Sequence, residues 1–177
     1  METHEMLQSK TIYSGVIFDI TQRTVRLPNG KEALRDIVMH NGAAAVVALT
    51  QDGELLMVRQ YREGAKDVML EIPAGKLDIG EDPQTCAIRE LEEETGYTAG
   101  QVHFMMRIQV AAAYCTEQIY LYAAENVKPG VAHPDADEFV VVETHPLPEV
   151  LRMIDSGEIT DVKTIVGVLN YMRLRAI

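Results

Sequence analysis

The stretch Gly75-Lys76-Leu77-Asp78-Ile79-Gly80-Glu81-Asp82-Pro83-Gln84-Thr85-Cys86-Ala87-Ile88-Arg89-Glu90-Leu91-Glu92-Glu93-Glu94-Thr95-Gly96-Tyr97 decides how this chain is read. Its helix boundaries are signalled at both ends. Asp82 suits the N-cap, Pro83 the first helical position and Gly96 the C-terminal stop, which predicts a helix over 83–95. At about 100° per residue, Glu90, Glu93 and Glu94 fall within an arc of about 100°, Ala87, Ile88 and Leu91 form the opposing apolar stripe, and Glu92 points elsewhere. Like charges at i,i+4 destabilise a helix. Over 71–97 the acids are Glu71, Asp78, Glu81, Asp82, Glu90, Glu92, Glu93 and Glu94 against Lys76 and Arg89, a local net charge of −6. A glutamate run alone also reads as a solvated helix face. Hard divalent cations with oxygen ligands relieve such a charge, and Mg²⁺ favours sites it shares with substrate phosphates.

Outward from this segment the chain alternates short strands and turns. On its N-terminal side, 43–49 reads as a buried strand, Gln51-Asp52-Gly53 as a turn, 55–61 as the partner strand and 68–72 as a further strand ending at a Pro73-Ala74-Gly75 corner. On its C-terminal side, strands are predicted near 101–110, 117–124 and 138–144, with a two-proline loop over 128–137 and closing helices near 148–155 and 161–175. Residues 1–42 form a separate reading: strand-like 12–18 and 21–27, a Pro28-Asn29-Gly30 turn and a returning strand over 32–40. Asn41-Gly42 marks the boundary, giving an N-terminal β-strand dimerisation unit over 1–42 and the main domain over 43–177. Three short strands make a marginal core alone, so they are expected to pack on the rest of the chain or on a second copy, as in a dimer.

Composition bounds the function classes. The chain has 177 residues, 47% hydrophobic and 24% charged, which excludes a disordered, collagenous or coiled-coil protein. Sixteen Lys and Arg against 27 Asp and Glu give a formal net charge of −11. Nucleic-acid binding and attachment to an anionic membrane are therefore not expected. Two cysteines, Cys86 and Cys115, make no disulfide framework, the first residues are not a signal peptide, and the longest apolar run, 43–49, is too short to cross a bilayer. The expectation is a cytoplasmic protein. His4, His40, His103, His133 and His145 show no shared ligand spacing, so no zinc site is expected.

The 75–97 segment resembles the signature of the Nudix hydrolases, Gly-x5-Glu-x7-Arg-Glu-U-x-Glu-Glu-x-Gly-U, where U is a bulky apolar residue. Gly75, Glu81, Arg89, Glu90, Leu91, Glu93, Glu94, Gly96 and Tyr97 fill its positions, with Tyr97 where an aliphatic residue is more usual. The resemblance implies an α/β (α+β) fold: a Nudix-type α/β/α sandwich with a mixed central sheet, plus the small N-terminal antiparallel strand unit. It also implies Mg²⁺ as the cofactor, with Mn²⁺ as the alternative. By resemblance Glu90 and Glu94 are the main metal ligands, Glu93 lies beside them, the Ala74 carbonyl is a further ligand, and Glu81 is an outer ligand or a supporting group. Arg89 sits at i,i+4 from Glu93 and is expected to orient it by an ion pair. Gly75 is expected to permit the turn beside the metal.

The surroundings of that segment resemble the ADP-ribose pyrophosphatase branch: an N-terminal strand unit, then Arg59-Gln60-Tyr61-Arg62, then Glu71-Ile72-Pro73-Ala74-Gly75-Lys76. The branch implies a homodimer whose site borrows residues from both subunits, and hydrolysis of ADP-ribose to AMP and ribose 5-phosphate. Arg62 would contact the diphosphate, Arg35 the diphosphate or terminal ribose, and Glu71 would support Arg62 or a water. A catalytic or water-orienting carboxylate is expected from Asp135-Ala136-Asp137-Glu138, with Glu138 first and Asp137 second. The chain departs from the branch at Ala111-Ala112-Ala113, where a proline-containing segment is usual. Three alanines would leave that wall of the pocket smaller and more adaptable. Two alternatives stay open at this level: hydrolysis of another nucleoside diphosphate derivative (a nucleotide sugar, dinucleotide or flavin nucleotide), or a non-catalytic binding protein on the same fold.

Overall fold

Alternating buried and exposed runs resolve into strands and helices in the computed structural model, which describes residues 3–133 and 139–175. In chain order these are β1 (Glu5–Ser14), β2 (Asp19–Arg26), β3 (Glu32–Met39), β4 (Ala43–Thr50), β5 (Glu54–Arg62), β6 (Asp67–Glu71), β7 (Ala74–Lys76), α1 (Pro83–Thr95), β8 (Tyr97–Thr98), β9 (His103–Gln109), β10 (Gln118–Pro129), β11 (Val140–Pro146), α2 (Leu147–Ser156) and α3 (Val162–Arg175).

The main body holds a mixed sheet in the order β11-β5-β4-β10-β8, with β6 on β5, β7 on β4 and β9 on β10. β4 and β10 run parallel, while β4–β5, β5–β11 and β4–β7 are antiparallel. Side chains of a strand alternate between faces, and β4 is buried on both. Its Ala45, Val47 and Leu49 join one apolar cluster, which also takes in Val150 and Met153 of α2 and Val168 and Tyr171 of α3. Ala44, Val46 and Ala48 join the other, with Cys86, Ala87 and Leu91 of α1. The result is the expected α/β/α layering: α1 covers one face and the two C-terminal helices cover the other. None of the described helices is long and apolar enough to cross a membrane.

The N-terminal strands form their own antiparallel sheet, β1-β2-β3. β1 begins at Glu5 and ends at Ser14, and Gly15 N–H bonds the Phe18 carbonyl at 3.1 Å, so 15–18 is a tight turn and not the end of the expected 12–18 strand. Gln109–Gln118 groups with Met1–Gly42 as one unit, whereas the sequence reading assigned all of 43–177 to one domain. The physical link is backbone pairing: Val38 N–H bonds Tyr114 O at 2.8 Å, and Thr116 N–H bonds Val38 O at 2.9 Å. The alanine segment 111–113 therefore opens a turn fastened to β3, with Cys115 N–H on the Ala111 carbonyl at 2.9 Å.

Two other expectations change locally. The Pro73-Ala74-Gly75 corner is a short strand, because Ala74 and Gly75 pair with Ala45 and Ala44. β10 runs to Pro129, because Lys128 and Pro129 pair with Thr98 and Tyr97 across β8, so the loop begins later than expected.

Candidate active site

Helix α1 starts and stops where its sequence predicts. The Asp82 carboxylate accepts from the N–H groups of Gln84 and Thr85, and Gly96 closes the helix at φ 73° with its N–H on the Glu92 carbonyl. Glycine is needed at 96 for this left-handed conformation. It is also needed because a Cβ there would stand 2.5 Å from the Ala132 backbone nitrogen. The loop that follows β10 thus passes directly over the end of α1, and His133 N–H bonds the Glu93 carbonyl at 3.0 Å.

The face of α1 that carries Glu90 and Glu94 lies on β7. Both glutamates are buried, at 8% and 2% exposure. Glu94 accepts from the Ala74 N–H at 3.1 Å. The Glu90 carboxylate sits on Gly75 itself: a Cβ built there would lie 1.8 Å from Glu90 Cδ. Gly75 is not among the left-handed glycines. Its reason is close approach of a carboxylate, not the turn that was expected. Cys86 helps dock the same surfaces, with its thiol 3.7 Å from the carbonyls of Gly75 and Lys76. Burial, then the charges of Glu81 and Glu90, push that thiol up to about 12, and Cys86 is fully buried among the apolar residues between α1 and the sheet.

Arg89 organises the other acids. Its Nε and Nη2 form a fork on Glu81 at 2.9 and 3.0 Å, and its Nη1 reaches Glu90 at 2.7 Å and Glu93 at 2.9 Å. The fork holds the Glu81 carboxyl down to about 2, against a smaller burial effect. Glu81 also accepts from the Asp78 N–H at 2.9 Å, fastening the loop before the helix. Its two oxygens are thus engaged by protein donors, which fits the supporting role over the ligand role. Glu93 is the more exposed member, paired to Arg89 as its i,i+4 spacing anticipates.

A second cluster lies on the sheet. Register sets Glu71 opposite Val58, on the face that β5 shares with Leu56 and Arg62. Arg62 Nε and Nη2 grip Glu71 at 2.9 and 2.7 Å. Glu71 is only 2% exposed, and the Lys163 ammonium also binds its Oε2. Burial opposes its charged form, but the Arg62 hydrogen bonds and the Lys163 charge outweigh that and keep the carboxyl below its ordinary value. The Glu71 hydrogen bonds, with smaller contributions from the charges of Glu94 and Asp161, hold Arg62 firmly cationic. That dependence on Glu94 ties this cluster to the acids of α1.

The donor set suits a hard cation. Glu90 and Glu94 bring two buried carboxylates onto the β7 backbone, and Arg89 binds Glu90 together with Glu81 and Glu93. The Gly75 cradle leaves Glu90 beside Ala74. Among the described residues, no three His, Cys, Asp or Glu side chains form a ready-made cage. Mg²⁺ ordinarily takes one or two carboxylates and completes its shell from water and phosphates, so Glu90 and Glu94 fit it. Along α1 a cleft of about 490 Å³ opens between Arg89, Glu93 and Ile88 on the helix and Val131 and His133 of the loop, wide enough for part of a nucleotide.

Of the residues singled out from sequence, Ala74, Gly75, Glu81, Arg89, Glu90, Glu93 and Glu94 come together around α1 and β7, and Arg62 and Glu71 join as a pair. Arg35 belongs to the N-terminal sheet, where it faces Arg23 across the strand pair and donates to the Leu34 carbonyl at 2.8 Å. Glu138 and Asp137 lie outside the described residues. Sequence reasoning missed Lys163, Asp161 and Thr164. A signal for Lys163 existed: a cation in the first turn of a helix opposes the macrodipole and needs carboxylate partners.

Comparison with known proteins agrees with this geometry. The NUDIX domain family model matches residues 39–165. An ADP-ribose pyrophosphatase of Bacillus subtilis (strain 168) is 39% identical over 171 residues, covering 96% of this chain and 92% of the relative. A methanol dehydrogenase activator of Bacillus methanolicus is 40% identical with the same coverage. A solved structure described as an ADP compounds hydrolase superposes with a TM-score of 0.87 at 20% identity, covering 98% of this chain and 95% of that one, which speaks to the fold. With the signature residues gathered on one helix and its neighbouring strand, the chain belongs to the NUDIX domain family.

Proposed function

We propose that the protein hydrolyses the diphosphate bond of ADP-ribose, or of a related nucleoside diphosphate sugar, with Mg²⁺ as its cofactor and Mn²⁺ as the alternative. ADP-ribose plus water would give AMP and ribose 5-phosphate. One observation carries the reading: the Glu90 carboxylate is seated on Gly75 and the Glu94 carboxylate on the Ala74 N–H, side by side and buried. The similarity to the ADP-ribose pyrophosphatase of Bacillus subtilis supports the substrate class.

Glu90, Glu94 and the Ala74 carbonyl would hold the cation, which when bound neutralises the diphosphate and lowers the pKa of a coordinated water. The chain's own residues do the positioning. Arg89 locks Glu81, Glu90 and Glu93 in place. Arg62, fixed by Glu71, offers a planar cation suited to phosphate oxygens. Glu138, with Asp137 second, is assigned the proton from the attacking water on the strength of the family resemblance.

The chain is proposed to work as a cytoplasmic homodimer with no nucleic-acid or membrane partner. Met6, Ile12 and Tyr13 of β1 and Val16 and Ile17 of the turn after it are exposed, apolar surface that a second copy would bury. In a dimer, Arg35 would enter the partner's site. The test is a product assay on ADP-ribose, GDP-mannose, a dinucleotide and a flavin nucleotide with Mg²⁺, with Glu94→Gln as control. ADP-ribose is expected to be cleaved fastest, with a loss of several orders of magnitude in the variant. Absence of cleavage across the panel would favour the binding-protein alternative.

A further inference from the structure

The first turn of α3 meets the end of β6 through side chains that the proposed chemistry does not use. Thr164, fully buried, accepts the Ile72 N–H at 2.9 Å and donates its hydroxyl proton to Asp161 Oδ2 at 2.6 Å. Asp161 Oδ2 also accepts the Thr164 N–H at 2.9 Å, capping the helix, and pairs with Lys163 Nζ at 3.0 Å. Lys163 reaches on to Glu71, and its side chain is 12% exposed. The helix N-terminus therefore grips both the carboxylate that holds Arg62 and the backbone two residues before Ala74.

Charge makes this more than packing. Glu71 and Asp161 are buried or nearly so, at 2% and 14% side-chain exposure. With Lys163 in place, Arg62 and Lys163 together face Glu71 and Asp161, and the charge of Glu94 also acts on Arg62. Without it, Arg62 alone would face both, and its charge would be spent on them. An anionic diphosphate would then meet one more uncompensated negative charge at this cluster. A lysine in a first helical turn also works against the macrodipole, so the position is unfavourable unless those carboxylates retain it.

We propose that Lys163 is a positioning residue for the diphosphate: it shares Glu71 with Arg62, and so keeps Arg62 both oriented and electrostatically available to the substrate. The inference rests on the proposed hydrolysis for its substrate, but not for the geometry it assigns to Arg62.

The test compares Lys163→Met, Lys163→Arg and Asp161→Asn with wild type. Measured are KM and kcat for ADP-ribose, the calorimetric Kd of the non-hydrolysable α,β-methylene analogue, and exchange protection of the Arg62 Nε–H by NMR. Lys163→Met is expected to raise KM and Kd on the order of tenfold, the worth of a charge-assisted hydrogen bond, with kcat much less affected and Arg62 Nε–H protection lost. Lys163→Arg should restore most of both. Asp161→Asn keeps a capping side chain and removes a negative charge, so it should lower KM. It also keeps the idea testable if Lys163→Met fails to fold. Unchanged KM and Arg62 protection in Lys163→Met would overturn the proposal. So would a raised KM in Asp161→Asn, or a fall in kcat alone. If wild type cleaves none of the panel, the hydrolysis reading fails, and the Arg62 Nε–H signal decides the positioning role by itself.

Discussion

Gly75→Ala is the most searching single substitution in this protein. The backbone there is a regular strand without left-handed φ, so alanine meets no conformational strain. The cost is steric. A Cβ would stand 1.8 Å from both Cδ and Oε1 of Glu90 and 2.2 Å from Oε2, where an ordinary contact begins at 3.4 Å. The carboxylate must retreat by about 1.6 Å. Glu90 is 8% exposed and held by Arg89 Nη1 at 2.7 Å, so it has little room and loses that pairing as it moves. A misplacement of about 1 Å at a reacting centre costs on the order of 10²-fold in rate. Gly75→Ala should therefore lower kcat by about 10²-fold or more and weaken Mg²⁺ binding. The assay is steady-state release of AMP from ADP-ribose alongside Mg²⁺ calorimetry. Gly100→Ala serves as control, because a Cβ there meets nothing within 4 Å. Retention of wild-type kcat and Mg²⁺ affinity in a folded Gly75→Ala protein would refute the claim that Glu90 acts from its seat on Gly75.

Three further predictions follow from other parts of the structure. Arg89→Lys keeps the charge but cannot reproduce a fork on Glu81 together with contacts to Glu90 and Glu93; it should lower stability by about 1–3 kcal/mol in urea titration and reduce kcat/KM. The Arg59 fork, at 2.7 and 3.0 Å, is the main reason the Glu143 carboxyl is held down to about 2, with burial opposing and His145 assisting. A depressed carboxyl stabilises the fold above its ordinary value of 4.5 and loses that contribution as pH falls toward 2. Glu143→Gln should therefore flatten the pH dependence of the urea midpoint between those limits, and an unchanged slope would contradict the assignment. Sedimentation at micromolar concentration should show a dimer, and Ile12→Asp, which charges an apolar side chain 50% exposed on β1, should shift it to monomer.

How much of this was legible before the fold was known varies by element. Helix α1 matched its predicted span, because Asp82, Pro83 and Gly96 are local signals whose effect needs no tertiary partner. β4 and the Gln51-Asp52-Gly53 turn were equally plain. Strand β7 was not, since three residues with a proline before them look like a corner until Ala44 and Ala45 supply partners. The pairing of 109–118 with β3 was hidden for the same reason: Val38 and Cys115 are far apart in the chain. Lys163 was passed over because it lies 92 residues from the Glu71 it serves.

The sequence by itself determined the identity and spacing of the acids, the helix that carries them, and hence the family. Periodicity and capping are short-range physics, and they place Glu90, Glu93 and Glu94 on one side of α1 without reference to anything else. Only the tertiary structure decided what those acids meet. It showed that Gly75 exists to admit a carboxylate, that Arg89 binds Glu81, Glu90 and Glu93 together, and that Arg62 and Lys163 share one buried glutamate. Close approach and shared charge depend on atoms brought together across the sheet, and no local pattern along the chain encodes those distances.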